Sequence, residues 1–306
     1  MTSTPTTSTP VTRTMEVWPP LITPFDRDGA IDWRGLDATV EWNIAQGVTG
    51  LLVCGLSAEL YTLSREEREM IISRVLAKND GRIRIAASAL ADDGDWIGAV
   101  NAVSALGVEI VVLLTSQLVA ADESDAVLSA RLDEIFAGTT TDLGFYEAPV
   151  PYKRLLSPGT LARAASSGRV TFLKDTSQSL DTIAERLEAT AGSRLRVYNA
   201  EMASLSASVA LGAAGFCGLM ANVYPQLIAA SGGSASESVH LARLLTLGDA
   251  ALEKDYPASA KQLLAEAYGL PLSSYARTIG READPRSTTS LRALHAELEG
   301  AGYISG

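Results

Sequence analysis

The sequence has few of the residues on which metal centres and disulfides depend. Its 306 residues include only two cysteines, Cys54 and Cys217, and two histidines, His240 and His295. No grouping of these residues has the spacing of a zinc site, and each cysteine lies in an apolar stretch typical of a buried thiol. We therefore expect neither a metal ion nor another cofactor, and no structural disulfide.

Excess positive charge and long apolar segments are also missing. Lys and Arg number 25 against 36 Asp and Glu, which gives a formal net charge of -11. A polyanion would be repelled by such a surface. No apolar run approaches the roughly 20 residues of a membrane-spanning helix, and the N-terminus lacks a basic segment followed by a hydrophobic one. The sequence predicts a cytoplasmic protein that binds neither nucleic acid nor membranes.

The chain divides into three parts by composition and periodicity. Residues 1–14 are nearly all Thr, Ser and Pro, which predicts a flexible tail because little apolar area is available to offset the entropy of ordering. Short β-like apolar runs then alternate with longer stretches of helical period, as in parallel strands joined by crossover helices. The predicted strands are residues 18–23, 50–53, 83–87, 110–114, 143–146, 172–174, 196–198 and 215–217.

Eight such units predict an α/β fold, a closed (β/α)8 TIM barrel, over residues 15–247, with a small C-terminal helical extension over residues 248–306. Ser64 with Glu67 predicts a capping box at the start of one helix, and Ser157 before Pro158 predicts the start of another. The extension is expected to contain helices at residues 252–268 and 285–299. A doubly wound open sheet would usually carry a glycine-rich phosphate loop after its first strand, and none follows Trp18.

Reactive groups of a barrel gather at the C-terminal ends of its strands. Of the five lysines, only Lys174 closes a predicted strand. Loss of solvation there favours the neutral, nucleophilic amine, which can condense with a carbonyl group. The alternative is a structural ion pair with a carboxylate such as Asp175.

Two other positions are candidates for the same cavity. Tyr146 ends the preceding strand, so its phenol can relay a proton, or it can simply be packed in the wall. Gly55 and Ser57 lie in the turn after the second strand, where a glycine lets the backbone approach a ligand and the amides and hydroxyl can bind a carboxylate. An ordinary strand-to-helix turn is the alternative for these residues, and Glu59 is expected to anchor the turn.

In order and spacing, these segments together resemble the dihydrodipicolinate synthase and N-acetylneuraminate lyase family, from about residue 20 to 225. The matching segments are Leu21-Ile-Thr-Pro-Phe, Asp28-Gly-Ala-Ile-Asp, the stretch from Gly47 to Arg68, Gly144-Phe-Tyr-Glu-Ala-Pro, Phe172-Leu-Lys-Asp-Thr-Ser and the stretch from Gly212 to Pro225 with Cys217.

The resemblance implies a class I lyase in which Lys174 forms an imine with pyruvate or another 2-oxo acid. Tyr146 is then the proton relay, and Ser57, Gly55 and the neighbouring loop residue Leu56 hold the carboxylate end. Cys217, at the end of the last strand, is placed beside the bound acid. The resemblance also implies a homo-oligomer.

Several residues depart from the family pattern. Leu56 replaces a hydroxyl residue of the relay, and the stretch from Thr115 to Leu118 lacks the tyrosines of the synthases. Pro151 replaces an arginine that binds the second substrate's carboxylate, and Glu147 replaces an asparagine, so an anionic tail would be repelled. We therefore predict an aldolase whose other substrate is neutral or cationic at its far end.

Two alternatives remain open at the level of the sequence. A dehydratase of a 3-deoxy-2-oxo sugar acid would use the same imine and enamine to expel a hydroxyl group. A barrel without a working relay would instead be a non-catalytic ligand-binding protein, an interpretation that Leu56 favours.

Overall fold

Eight parallel strands follow one another around a barrel in the computed structural model, which describes residues 15–232 and 235–304. The predicted tail, residues 1–14, lies outside the described residues. The sheet order is β1-β8-β7-β6-β5-β4-β3-β2, with each strand beside its neighbour in sequence. The strands are β1 Glu16–Val17, β2 Gly50–Val53, β3 Arg84–Ala89, β4 Ile110–Leu114, β5 Asp142–Tyr146, β6 Val170–Asp175, β7 Arg196–Asn199 and β8 Gly215–Phe216.

The barrel closes between its first two strands through an irregular segment. We predicted a strand at residues 18–23, but β1 ends at Val17. Pro19 and Pro20 follow, and proline has no N–H to donate to a ladder. Closure instead uses a bridge between Pro20 and Leu52, with the Leu21 N–H donating to the Leu52 carbonyl at 2.9 Å. The predicted (β/α)8 barrel is confirmed, with a shorter first strand.

Helices connect the strands and cover the outside of the barrel. Two predicted helix starts are present: Ser64 and Glu67 form a reciprocal capping box at α2, and the Ser157 hydroxyl caps α6, where Pro158 is the first residue. The connecting helices are α1 Trp33–Ala45, α2 Arg65–Asn79, α3 Trp96–Ala105, α4 Thr115–Leu118, α5 Asp125–Gly138, α6 Pro158–Ser166, α7 Leu180–Ala189, α8 Leu205–Leu211 and α9 Pro225–Ser231.

In the described part of the C-terminal region, residues 235–304, the helices are α10 Ser236–Glu253, α11 Ala258–Tyr268 and α12 Thr289–Gly300. The helix that we predicted at residues 252–268 is present as α11 from Ala258 to Tyr268, but its start is wrong, since the chain turns between α10 and α11. Pro257 accounts for the break, because its ring disfavours a helical conformation in the preceding residue. The domain boundary that we expected between residues 247 and 248 lies inside α10.

Alternation along the strands decides which side chains enter the barrel. Phe172 packs against Trp18 and Tyr198 in the barrel interior, with ring centroids 5.2 Å and 4.6 Å apart, respectively. Because successive side chains of a strand point to opposite faces, Lys174 lies on the same face as Phe172. Asp175 points outward to Arg186 of α7. Lys174 is therefore directed to the interior at the C-terminal end of β6.

Candidate active site

Lys174 provides a buried amine at the rim of the barrel. The residue is 3% exposed, and within the described residues its amine has neither a hydrogen-bond nor an ion-pair partner. Burial lowers the pKa of this amine, because the charged form loses its hydration, and the charge interaction with Cys217 offsets this effect only in part. Pairing with Asp175 does not occur, since the Asp175 carboxylate binds Arg186. The arrangement favours a neutral amine that can attack a carbonyl carbon.

Tyr146 and Cys217 lie beside this amine. Tyr146 pairs with Lys174 in the register of β5 and β6, and the Lys174 Nζ is 4.3 Å from the centroid of the phenol ring. Burial raises the pKa of the Tyr146 phenol, so the hydroxyl stays protonated and is a donor. Burial also raises the pKa of the Cys217 thiol to about 11, although the Lys174 charge lowers it in part. The structure thus brings together an amine, a phenol and a neutral thiol.

The turn after β2 is held in an unusual conformation. Cys54 and Glu59 both have positive φ angles, 55° and 61°, which non-glycine residues seldom adopt. Glu59 anchors the turn as expected: its Oε1 accepts a hydrogen bond from Lys261 Nζ at 2.7 Å. Its Oε2 accepts one from the backbone N–H of Thr278 at 2.8 Å. The C-terminal extension therefore fixes the loop that carries Ser57.

Gly55 differs from its predicted role in two respects. Its φ of -89° is an ordinary extended conformation, and a Cβ there would meet only Leu52 side-chain atoms, at 3.8 Å. The turn does not need a glycine at this position. Gly55 also does not line the cavity described next, whereas Leu56 and Ser57 do.

A cavity of about 380 Å³ opens above these residues. Its wall combines the β2 turn, the β5 end and the C-terminal extension. The lining residues are Leu56, Ser57, Glu59, Leu60, Tyr61, Tyr146, Pro149, Val150, Leu219, Tyr256, Pro257, Thr278 and Ile279. Tyr146 lines the cavity and also contacts the Lys174 amine, whereas Lys174 and Cys217 are not among the lining residues. The volume is within the range of small-molecule sites, about 300–1,000 Å³.

Tyr256 is a second phenol of the site that we did not predict. It lies in the turn between α10 and α11 and lines the cavity. Its hydroxyl accepts a hydrogen bond from the Asn222 amide at 2.9 Å. Burial raises the pKa of the Tyr256 phenol, and the neighbouring Ser57 hydroxyl offsets this effect in part. Tyr256 thus adds a hydroxyl group to the cavity that Leu56 also lines.

Tyr61 supplies a third phenol, at the cavity edge, but its hydroxyl is engaged. It donates to the Val150 carbonyl at 3.0 Å and accepts from the Gln117 side-chain amide at 3.0 Å. Gln117 belongs to the fourth-strand stretch in which the sequence shows no phenol. Tyr61 therefore stabilises the rim and has little capacity left for a ligand.

Glu147 does not have the place that we expected. We predicted a substrate-binding carboxylate that repels anionic tails, but Glu147 is fully buried outside the cavity. Its Oε1 and Oε2 bind Arg186 Nη2 and Nη1 at 2.5 Å and 2.9 Å. The reason is strand alternation: Tyr146 points inward, so the next residue points toward α7. Glu147 forms a buried ion-pair network with Arg186 and Asp175.

The basic residues after Tyr146 do not line the cavity either. Arg154 binds Asp125, with 2.7 Å between Nη2 and Oδ1, and donates to the Glu123 carbonyl. Lys153 is exposed. Lys153 is thus solvent-facing charge, whereas the Arg154 side chain is only 14% exposed and is held in an ion pair away from the cavity.

Within residues 15–232 and 235–304, no three His, Cys, Asp or Glu side chains are grouped closely enough to hold a metal ion. No helix in that part of the chain is both long and apolar enough to cross a membrane.

An unpaired lysine amine beside a protonated phenol, at the C-terminal rim of a (β/α)8 barrel, defines an enzyme class that activates carbonyl compounds through an amine nucleophile. Comparison with known families agrees. The model of the Dihydrodipicolinate synthetase family matches residues 13–294. The chain belongs to this family and is a class I, Schiff-base-forming lyase of a small 2-oxo acid.

Individual relatives are distant. The chain is 26% identical over 207 residues to the 4-hydroxy-tetrahydrodipicolinate synthase of Anaeromyxobacter sp. (strain Fw109-5), covering 67% of this chain and 69% of that protein. It is 27% identical over 252 residues to the synthase of Chelativorans sp. (strain BNC1), covering 80% and 85% of the two chains.

Among solved structures, a pyruvate complex of the dihydrodipicolinate synthase of Acinetobacter baumannii has a TM-score of 0.82, at 22% identity over 95% of this chain and all of that one. The dihydrodipicolinate synthase of Thermotoga maritima likewise has a TM-score of 0.82, at 22% identity over 95% of this chain and 100% of its own. At these identities the likeness concerns the fold.

Proposed function

We propose that this protein makes or breaks a carbon–carbon bond next to the keto group of pyruvate or a pyruvate-like 2-oxo acid, with Lys174 as the Schiff-base lysine. The observation that carries the proposal is the buried Lys174 amine, which has no partner among the described residues and lies 4.3 Å from the Tyr146 ring centroid. A relative of known structure was solved with pyruvate bound, which supports the choice of acid.

The reaction begins with attack of the neutral Lys174 amine on the keto carbon. The resulting carbinolamine loses its hydroxyl as water and becomes a protonated imine. Loss of a proton from the adjacent methyl carbon gives an enamine. That carbon attacks the carbonyl carbon of an aldehyde, whose oxygen takes up a proton, and water then releases the product from Lys174. Cleavage follows the same steps in reverse.

The neighbouring groups supply protons and hold the acid. The Tyr146 hydroxyl, kept protonated by burial, donates a proton to the departing hydroxyl of the carbinolamine and recovers it from the attacking water. Tyr256 extends this relay, since it lines the same cavity as Ser57 and Tyr146. Ser57 binds the carboxylate, and the Cys217 thiol packs beside the imine.

Borohydride trapping tests the proposal. Incubation with pyruvate and borohydride, followed by peptide mass mapping, is expected to reduce the imine to a stable adduct on the peptide that contains Lys174. Lys174→Ala should give no adduct, while Lys153→Ala, a change at an exposed lysine, should give the wild-type yield. Absence of an adduct with pyruvate and other 2-oxo acids would favour the non-catalytic alternative.

The dehydratase alternative is separated by the products. A carbon–carbon lyase releases pyruvate when it cleaves its substrate, whereas a dehydratase of a 3-deoxy-2-oxo sugar acid releases none. Detection of free pyruvate after the enzyme cleaves a larger 2-oxo acid therefore supports the proposal.

The proposal also includes a cytoplasmic homo-oligomer, a dimer or tetramer, as the family resemblance implies. Light scattering on the purified protein measures its mass in solution. A monomer mass would remove this part of the proposal without affecting the chemistry.

A further inference from the structure

Resting on the proposed function, we infer that the second substrate is a neutral aldehyde with an apolar body, such as a branched alkyl or aryl aldehyde. It is neither an anionic semialdehyde nor a polyhydroxylated sugar. The inference comes from the polar groups that the cavity wall offers.

Within the described residues, the cavity wall offers no free charged side chain to a substrate. Among the described residues that line the cavity, none is Lys, Arg or His. The single acid, Glu59, is committed to Lys261 and Thr278. A carboxylate at the far end of a substrate would lose hydration without gaining a cationic partner. An anionic acceptor is therefore disfavoured.

Free hydroxyl groups are also few. Tyr61 already uses its hydroxyl both as donor and as acceptor. Thr278 is engaged with Glu59 through its Oγ1 at 3.0 Å. Ser57, Tyr146 and the proton of Tyr256 remain, and the proposed mechanism uses all three for the carboxylate and the reacting oxygens. A sugar chain would leave several hydroxyls unpaired, each at a cost of about tenfold or more in binding.

The rest of the wall is apolar. Leu56, Leu60, Pro149, Val150, Leu219 and Ile279 surround the space beyond Tyr146. Leu56 is the residue that takes the place of a relay hydroxyl in the family pattern, so its substitution both removes a polar group and adds apolar surface. Burial of an alkyl or aryl group against these side chains is favourable, by roughly 25 cal/mol for each Å² removed from water.

Separate assays with three aldehydes test this inference. The purified full-length protein is given pyruvate with isovaleraldehyde, succinic semialdehyde or glyceraldehyde, and the condensation product is quantified by mass spectrometry. We expect kcat/KM for isovaleraldehyde to exceed the other two at least tenfold. A preference for succinic semialdehyde or glyceraldehyde would overturn the inference, and so would the absence of condensation with all three.

A variant at the cavity edge sharpens the test. Val150 lines the cavity and is 50% exposed, so Val150→Arg can place a cation at the mouth without disturbing the core. It should raise kcat/KM for succinic semialdehyde at least tenfold and lower that for isovaleraldehyde. Val127→Arg, at an exposed valine of α5 that does not line the cavity, is the matched control and should change neither value. Equal effects of the two variants would contradict the inference.

Borohydride trapping with pyruvate alone distinguishes a failure of this inference from a failure of the proposed function. If the Lys174 adduct forms but isovaleraldehyde is not preferred, the inference fails and the proposed function stands. If no adduct forms, the proposed function fails, and the inference fails with it.

Discussion

Replacing Lys174 by methionine is expected to stabilise the protein while it abolishes imine formation. Methionine has a similar length and no polar group, so it fills the space of the lysine among apolar neighbours. In the native chain, Lys174 is 3% exposed and lacks a partner within the described residues. Burial of an unpaired polar group costs about 1–3 kcal/mol in proteins. Lys174→Met should recover about that amount, which raises the Tm by roughly 2–4 °C per kcal/mol.

The stability gained by Lys174→Met should depend on pH in a defined direction. Because burial lowers the pKa of Lys174 in the folded state, the unfolded chain binds more protons than the folded chain between the two pKa values. The cost of the wild-type lysine is therefore largest below its folded-state pKa. It decreases as the pH rises toward the ordinary lysine value of about 10.4. Lys174→Met should thus stabilise more at pH 7 than near pH 10.

Urea denaturation of the wild type and the variant measures the difference, with Lys261→Met as the matched control. Lys261 is also a buried lysine, but its Nζ binds Glu59 at 2.7 Å. Its replacement leaves a buried carboxylate unpaired and should cost about 3–5 kcal/mol. A loss of stability for Lys174→Met comparable to that of Lys261→Met would refute the reasoning, because it would mean that the Lys174 amine is compensated.

Three further predictions concern the groups around the amine. Tyr256→Phe should slow deuterium exchange at the pyruvate methyl group about 10²-fold or more with little change in stability, since it removes a relay hydroxyl. The control Tyr61→Phe should keep the exchange rate within about threefold of the wild-type rate. NMR in heavy water measures both rates, and equal rates in the two variants would contradict the relay. Ser57→Ala should raise the KM for pyruvate by roughly tenfold and change kcat less, because a hydrogen bond to a carboxylate contributes about 1.5–3 kcal/mol; an effect on kcat alone would argue against carboxylate binding. Arg186→Met should destabilise by about 3–5 kcal/mol in urea, since it leaves Glu147 and Asp175 buried together without a cation; a loss below 1 kcal/mol would show that the network is not required.

The barrel and its reactive lysine were predictable because they follow from local rules. Apolar runs alternating with helical segments predict parallel strands, and a lysine that ends such a run lies at the rim on which barrel sites are built. The same period of two would have corrected the role given to Glu147, because a residue next to an inward Tyr146 points outward. The two prolines after β1 likewise predict a short first strand.

Tyr256 shows what the sequence could not provide. Pro257 is a local signal for a break at this position, but nothing in the local sequence indicates that the resulting turn faces the barrel mouth. Its position depends on how the extension packs back on the barrel, through the ion pair of Lys261 with Glu59 and the hydrogen bond from Asn222. Such long-range contacts are decided by the packed tertiary structure. For the same reason, the sequence did not predict the composition of the cavity wall, on which the substrate class depends.

The central claim is that a single amine, that of Lys174, converts a 2-oxo acid into an enamine. Loss of the pyruvate methyl proton signal in heavy water measures that conversion without knowledge of the second substrate. We predict rapid exchange with the wild-type protein and only the enzyme-free rate with Lys174→Met, although the variant is folded and more stable. Exchange by the variant at the wild-type rate would contradict the account.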